Sequence, residues 1–542
     1  MLNVTAATRQ LTRWLALAAW IGSVALGCGD DTDDDTTPNG GQGGANVAGA
    51  SGSSGSGGSG GDASGSGGAG AVGAGGNAGV SAGQGGDTGG TNGGAGAGSG
   101  GVGGMPGEPE NAWLRGGYDH RNQYFNPIEK TLSIENASQL EEKWRFEVAG
   151  YPPGSPVIAD GKVFALATGG MYAIDLATGR KLWERLDIVG TASVAYDAGF
   201  VYVHAFGAPV LYGQLHKLNA SNGETEWGPI TTYDLENCDG MSSPMLADGK
   251  VLVGHSCGLR EVALDGTNAG PRGGVAAFDI ANGEHAWTYF TVPETGEDGA
   301  MVWSTVSIDL EQSVMYVGTG NNYTMGGTGS DAIHAVDLAG GTKLWSRQVK
   351  EGDVWGLLTG NVLDEDIGAN PILLDWNGMR IVAAGDKGSR FTAIDRDSGD
   401  ILWMRNALTP SRSPGTGGVL NNGATDGEYF YVLANDAATA KATLFKLEPE
   451  EGTDVWTKPF EKLAWGSPSL ANGLLVVPVN DDLFVLDAET GDQLTMFNTG
   501  GTTAGGAAAI AQGRIVVKSG LLYQYAPDAI NNNEIICYGL PE

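Results

Sequence analysis

One pattern returns along this chain from residue 155 almost to the C-terminus, and it restricts the fold more than any other feature. It reads Ser-Pro, a short strand, an Asp-Gly turn, a second strand, a third strand ending in Asp, a Gly turn, and a tryptophan four residues after that glycine. The first copy is SPVIADGKVFALATGGMYAIDLATGRKLW, residues 155–183. The spacing of four recurs in six copies: Gly179–Trp183, Gly223–Trp227, Gly283–Trp287, Gly341–Trp345, Gly399–Trp403 and Gly452–Trp456. A seventh copy, SPSLANGLLVVPVNDDLFVLDAETG, ends at Gly491 without its tryptophan, and an eighth, AIAQGRIVVKSGLLYQYAP, is short. Alternating apolar strands joined by Asp-Gly turns are hairpins. Repeats of roughly 40 to 60 residues with four strands each are propeller blades. The pattern therefore predicts an all-β, eight-bladed β-propeller over residues 109–542. The eighth copy lacks an outer strand, and KWRFEVA, residues 143–149, is an orphan strand ahead of the first copy. Pairing it with the strands of 508–525 would close the ring and remove an exposed edge. The repeat tryptophans are then structural anchors between blades.

The region ahead of the repeats has a different character. Arg9 and Arg13 precede an apolar run from Trp14 to Leu26, then Gly27 and Cys28. Charge, a short apolar run and a small residue before the cut describe a secretory signal, and the run is short for a membrane span. Val-Ala-Leu-Gly-Cys resembles a bacterial lipobox, which makes Cys28 the expected lipidation site and residues 1–28 a lipoprotein signal. An acylated cysteine suffices for stable membrane attachment. Residues 29–108 are Asp/Thr-rich, then Gly/Ala/Ser-rich, and hold most of the excess among 92 glycines. Such a stretch cannot bury enough surface to fold and is expected to act as a tether with a reach on the order of 50 Å. A net charge of −33 repels phosphates and anionic headgroups. Nucleic acid is thus excluded as a partner, and the membrane is reached through the lipid anchor alone. The expected location is the cell envelope, periplasmic or outer-membrane.

There are four cysteines and no CxxC or CxxCH, so a zinc ribbon, a thioredoxin site and covalent haem have no support. In the hairpin MSSPMLADGKVLVGHSC the Asp248-Gly249 turn puts residue 240 opposite 257, with Cys238 just diagonal to Cys257. An oxidising envelope predicts a Cys238–Cys257 disulfide.

The repeat AxDxxTGxxxW resembles the propellers of pyrroloquinoline quinone (PQQ) dehydrogenases. So do several longer stretches: WLRGGYDHRNQYFNPIEKTLSIENASQLEEKWRF, TYFTVPE, VWSTVSIDLEQSVMYVGTGNNYT, SDAIHAVDL, GDVWG and DIGANPIL. These are similar to quinoprotein alcohol dehydrogenases, polyvinyl-alcohol dehydrogenases most of all. The resemblance implies a flat anionic quinone, a calcium ion bound by oxygen ligands, and a carboxylate that accepts the alcohol proton. By resemblance Trp303 matches the tryptophan that stacks under the quinone. Asn321 matches a calcium-binding asparagine, Asp331 the catalytic aspartate that also lies near the metal, and Lys387 the basic residue on the quinone oxygens. Asn421 and Trp465 match looser cofactor contacts.

The chain also departs from the family. The calcium-binding glutamate of the third blade falls on Leu259, leaving Glu261 or Asn268 to take its place. The adjacent-cysteine pair and the early-blade arginine of methanol dehydrogenases are missing. Without a haem segment, electrons would pass to a separate acceptor such as a cytochrome c. Two readings follow: an enzyme that oxidises an alcohol, polymeric alcohols included, with PQQ and calcium, or a non-catalytic scaffold similar to the propeller lipoprotein of the outer-membrane β-barrel assembly machinery.

Overall fold

A computed structural model of the chain describes residues 111–542 apart from 208–211, 236–237, 239, 258–269, 295, 325, 356–363, 407, 410–415 and 522–527. The signal and tether readings, Cys28, Glu261 and Asn268 lie outside the described residues. No helix among the described residues is long and apolar enough to cross a membrane.

Eight antiparallel sheets form an eight-bladed propeller. Seven blades are consecutive, spanning 157–185, 195–231, 245–290, 307–348, 372–405, 424–460 and 469–498. The eighth is assembled from both ends of the domain. Ala509–Ala511, Arg514–Ser519 and Glu534–Gly539 run outward from the axis, and Glu141–Glu147 adds the outermost strand. The orphan strand thus closes the ring as expected, but its partner is Glu534–Gly539, with Trp144 opposite Cys537, and not a strand within 508–525. The third position of a blade is covered on both faces. EIICYG suits it, because Ile535, Ile536, Cys537 and Tyr538 are all buried.

Neighbouring blades interlock through the tryptophans. Each indole lies against the turn glycine of the next blade: Trp144 on Gly179, Trp183 on Gly223, and so on to Trp456 on Gly491. Most indole N–H groups also donate to a carbonyl of that turn, as Trp183 does to Ala220 O (3.1 Å) and Trp403 to Pro449 O (2.7 Å). The glycine is required twice over. Gly452 has φ +67°, and a Cβ there would lie 2.5 Å from Trp403 Cε3.

A second set of links runs around the axis. The backbone N–H of Ser155 donates to the Ser193 hydroxyl, Ser193 to Ser243, Ser243 to Thr305, Thr305 to the Asn370 carboxamide, Asn370 to Asn422, and Asn422 to Ser467, at 2.7 to 3.2 Å. Ala507 N–H returns to Ser155 Oγ at 2.9 Å. This explains the serine of the Ser-Pro repeat: its hydroxyl receives the previous blade. Only the junction from blade seven to blade eight lacks both devices, since Thr495 replaces the tryptophan and Ala507 offers no side-chain acceptor. There the backbones pair directly, Trp465–Ser467 lying parallel to Ala504–Ala507.

Residues 113–126 floor the ring. They bond to the innermost strand of every blade in turn: Trp113 to Ile158, Leu114 to Tyr196, His120 to both Leu246 and Ile308, Arg121 to Leu373, Gln123 to Thr425, Tyr124 to Leu470 and Asn126 to Ile510. One end of the axial cavity is thereby closed.

Gly452→Ala is expected to lower the unfolding free energy by about 3 kcal/mol through backbone strain plus the clash with Trp403. Gly249→Ala has the same sign of φ (+68°) but nothing within 4 Å of the new Cβ, so it should cost only about 1 kcal/mol. Urea denaturation of the two variants checks the difference, and equal losses would refute the docking role.

Candidate functional site

In an antiparallel blade the link into the first strand and the link from the second strand to the third fall at the same end. Trp303 precedes Ser307–Asp309, Asn321 follows Val314–Gly318 and Asp331 precedes Ala332–Asp337, all in blade four. In blade five, residues 364–370 precede Ile372–Trp376 and Lys387 follows Met379–Gly385. All of these loops therefore gather at one end of two adjacent blades.

The residue that joins them is Asp366, which the sequence reading did not single out. Its Oδ1 accepts the Asn321 backbone N–H (2.6 Å) and its Oδ2 accepts the Lys387 ammonium (2.8 Å). Lys387 also binds both oxygens of Asp364, at 2.8 and 3.0 Å. The ammonium stands 5.2 Å from the centre of the Trp303 ring. Gly368 makes room for that indole, since a Cβ there would lie 1.9 Å from Trp303 Cη2. Trp303, Asn321 and Lys387 are thus brought close together, with Asp366 as the link.

Asp331 lies deeper. It is completely buried and has φ +47°, with the Ser330 side chain as a hydrogen-bonding neighbour of its carboxylate. Burial, and then the charges of Asp366 and Asp353, push its pKa well above the ordinary value. Asp353 is also raised, to about 7, chiefly by burial, and its Oδ1 is unpartnered. Burial raises Asp364 to about 6 against the pull of Lys387. Burial also opposes the charge on Lys387, but Asp364 and Asp366 outweigh it and hold the lysine protonated. Two carboxylates, Asp364 and Asp366, thus face the one lysine. The Asn321 side chain donates to the carbonyls of Asn322 and Trp355 (2.6 and 2.9 Å), which turns its oxygen away from those contacts. Among the described residues no three His, Cys, Asp or Glu side chains form a metal-binding group.

Beside this cluster the axial cavity, about 180 Å³, is lined by the hydroxyls of Ser155, Ser193, Ser243 and Thr305, by the carboxamides of Asn370, Asn421 and Asn422, and by Trp303 and Leu420. Among the described residues no charged side chain lines it. Asn421 therefore stands on the cavity wall, its Nδ2 held by Ala464 O (2.8 Å). Trp465 does not line the cavity. It packs one layer back, against Leu463, Ala504, Leu521 and Leu420.

A sequence profile described as glucose/ethanol/alcohol dehydrogenase, β-propeller domain, matches residues 113–412. A second, described as outer membrane protein assembly factor BamB, matches 387–523. A polyvinylalcohol dehydrogenase of Pseudomonas sp is 26% identical over 478 residues, covering 76% of this chain and 73% of the relative. The quinohemoprotein alcohol dehydrogenase ADH-IIG of Pseudomonas putida is 24% identical over 57% of this chain, which spans only 47% of that relative. The solved quinohemoprotein alcohol dehydrogenase of Comamonas testosteroni superposes with a TM-score of 0.66 at 19% identity, covering 80% of this chain and 82% of the other, and supports the fold.

Lys387→Met should destabilise the folded chain by about 3–5 kcal/mol at pH 7.5, because Asp364 and Asp366 are left buried without their cation. Asp364 titrates near 6 even beside the lysine, above its unfolded value, and higher still without it. The penalty for its charge is therefore present at neutral pH and relieved as pH falls. Urea melts of both proteins at pH 7.5 and 5.5 should show the smaller loss at 5.5, and equal losses would contradict this.

Proposed function

The chain belongs to the glucose/ethanol/alcohol dehydrogenase β-propeller family, and from that premise we propose that it oxidises an alcohol with PQQ, a polymeric alcohol being one candidate substrate. The observation that carries this reading is Asp366, which ties Asn321 to Lys387, whose ammonium lies over the Trp303 ring. The residues fit the cofactor: Trp303 offers an aromatic face, Lys387 a cation for an anionic quinone, and Asn421 a carboxamide on the cavity wall. PQQ, when bound, supplies the hydride acceptor. The chain's own part is to seat the alcohol and take its hydroxyl proton. We assign that proton to Asp366 in place of Asp331, which is sealed behind it. Asp366 touches both neighbouring groups and keeps some exposure (6%), whereas Asp331 has none.

Calcium is the proposed ion, an oxygen-seeking cation suited to the buried carboxylate of Asp331. Asp331 and the Asn321 oxygen would contribute ligands. A separate acceptor, such as a cytochrome c, takes the electrons. Lipidation at Cys28 would hold the protein in the envelope.

The scaffold reading draws on the BamB-type match over 387–523. It gives no reason for a buried lysine and two aspartates to gather beside an axial indole, and so it ranks second.

Full-length protein reconstituted with PQQ and Ca²⁺ should reduce a dye when supplied with alcohol. Asp366→Asn should lower kcat by about 10³-fold with little change in PQQ affinity. Asp331→Asn should instead raise the Ca²⁺ needed for half-maximal activity. If the native chain binds no PQQ in the presence of calcium, the dehydrogenase reading fails.

A further inference from the structure

Trp303 is held by packing, and the packing behind it is unusual. Cys238 and Cys257 are joined as a disulfide, as the hairpin register predicts, and both are buried. They form one apolar cluster with Met301 and Tyr323, and Tyr233, Leu235 and Trp303 pack against it. The bond joins the connector that enters blade three to the end of the strand Lys250–His255.

The backbone around this cluster leads directly to the site. His255 O, two residues before Cys257, accepts the N–H of Val302 (2.9 Å). Met301 O accepts Gly320 N–H (2.9 Å) and Asn321 O accepts Ala300 N–H (2.7 Å). Cys238 O accepts Gly213 N–H (2.8 Å), which fastens the connector to blade two. Residues 300–303 are therefore clamped between the disulfide-bearing strand end and the Asn321 loop. From the front, Trp303 meets Gly368 at the ring edge and Lys387 over its face.

We propose that the Cys238–Cys257 disulfide is a positioning element for Trp303: it sets the angle of the aromatic platform and thereby the affinity for the quinone. The proposal rests on the PQQ reading for its functional half, and on geometry alone for its structural half. Cleavage by a dithiol adds two electrons and two protons to the S–S bond and yields two thiols, while the reagent closes to its own cyclic disulfide. Two thiol sulfurs cannot approach as closely as bonded ones, so the buried cluster must expand. Its neighbours include Met301, Tyr323, Tyr233 and Trp303. Cys537, the third cysteine of the propeller, is free and buried in blade eight, and is not in this cluster.

The test compares the full-length parent, the same protein treated with dithiothreitol under native conditions, and the double variant Cys238→Ala/Cys257→Ala. Two quantities are read on each. One is the PQQ concentration that half-saturates the protein, followed by equilibrium binding. The other is the emission of Trp303, taken as the difference between each protein and its Trp303→Phe counterpart without cofactor. Reduction and the double variant should both raise half-saturation about tenfold and shift the Trp303 emission to the red, with the alcohol KM at saturating PQQ within about twofold of the parent. Reoxidation should restore the parent values, and dithiothreitol should leave the double variant unchanged. A lower melting temperature with unaltered half-saturation and unaltered Trp303 emission would overturn the proposal and leave the disulfide a simple staple. Should the parent bind no PQQ, the cofactor reading falls by itself, and the Trp303 emission still decides whether the disulfide positions the indole.

Discussion

A tryptophan from one blade resting on a glycine of the next is the contact on which the rest of this molecule depends. The indole buries a large apolar face, and its N–H meets a turn carbonyl. The glycine supplies both a left-handed turn and an absent Cβ. Because the contact is directional, each blade fixes the rotation of its neighbour, and the ring closes only if the last blade also has a tryptophan to offer. Trp144 meets that need from the other end of the domain, so closure uses the same interface as the six internal junctions that carry a tryptophan. The junction that lost its tryptophan, between blades seven and eight, is also the one where backbones pair directly across it.

That rigidity lets charge be buried near the axis. Lys387, Asp364 and Asp366 are all largely excluded from water, which is expensive unless geometry holds the partners together. Blade five supplies that geometry. Arg390, buried between Asp386 and Glu365, steadies the same hairpin from behind. The cluster remains richer in carboxylate than in cation, and that excess separates it from a purely structural ion-pair network. The structural network around Asp309, Arg380 and Arg396, by contrast, pairs its buried carboxylate with two guanidinium groups.

Much of this was legible in the chain itself. The spacing of four between glycine and tryptophan carries the blade count, and the Asp248-Gly249 register carries the disulfide. Trp303, Asn321 and Lys387 were found through the stretches around them, and they do meet. Asp331 was chosen because an aspartate opens the strand after GTGNN. Asp366 stands at the head of the quoted stretch DIGANPIL, and nothing local in that stretch marks which groups it will face. The partner of the closing strand was misplaced for a related reason: LLYQYAP continues the repeat in sequence, while EIICYG lies beyond a long connection.

Local chemistry determines what repeats. Turn glycines, alternating strands and anchoring tryptophans act over a few residues, and they specified an eight-bladed ring without reference to anything distant. What only the tertiary structure decided is which side chains lose their water together. The link from Asp366 to Asn321 spans 45 residues and the clasp of residues 113–126 reaches 384. Desolvation and mutual charge arise only once blades four and five stand side by side. No local pattern distinguishes the aspartate that will face a lysine from the one that will be sealed behind it.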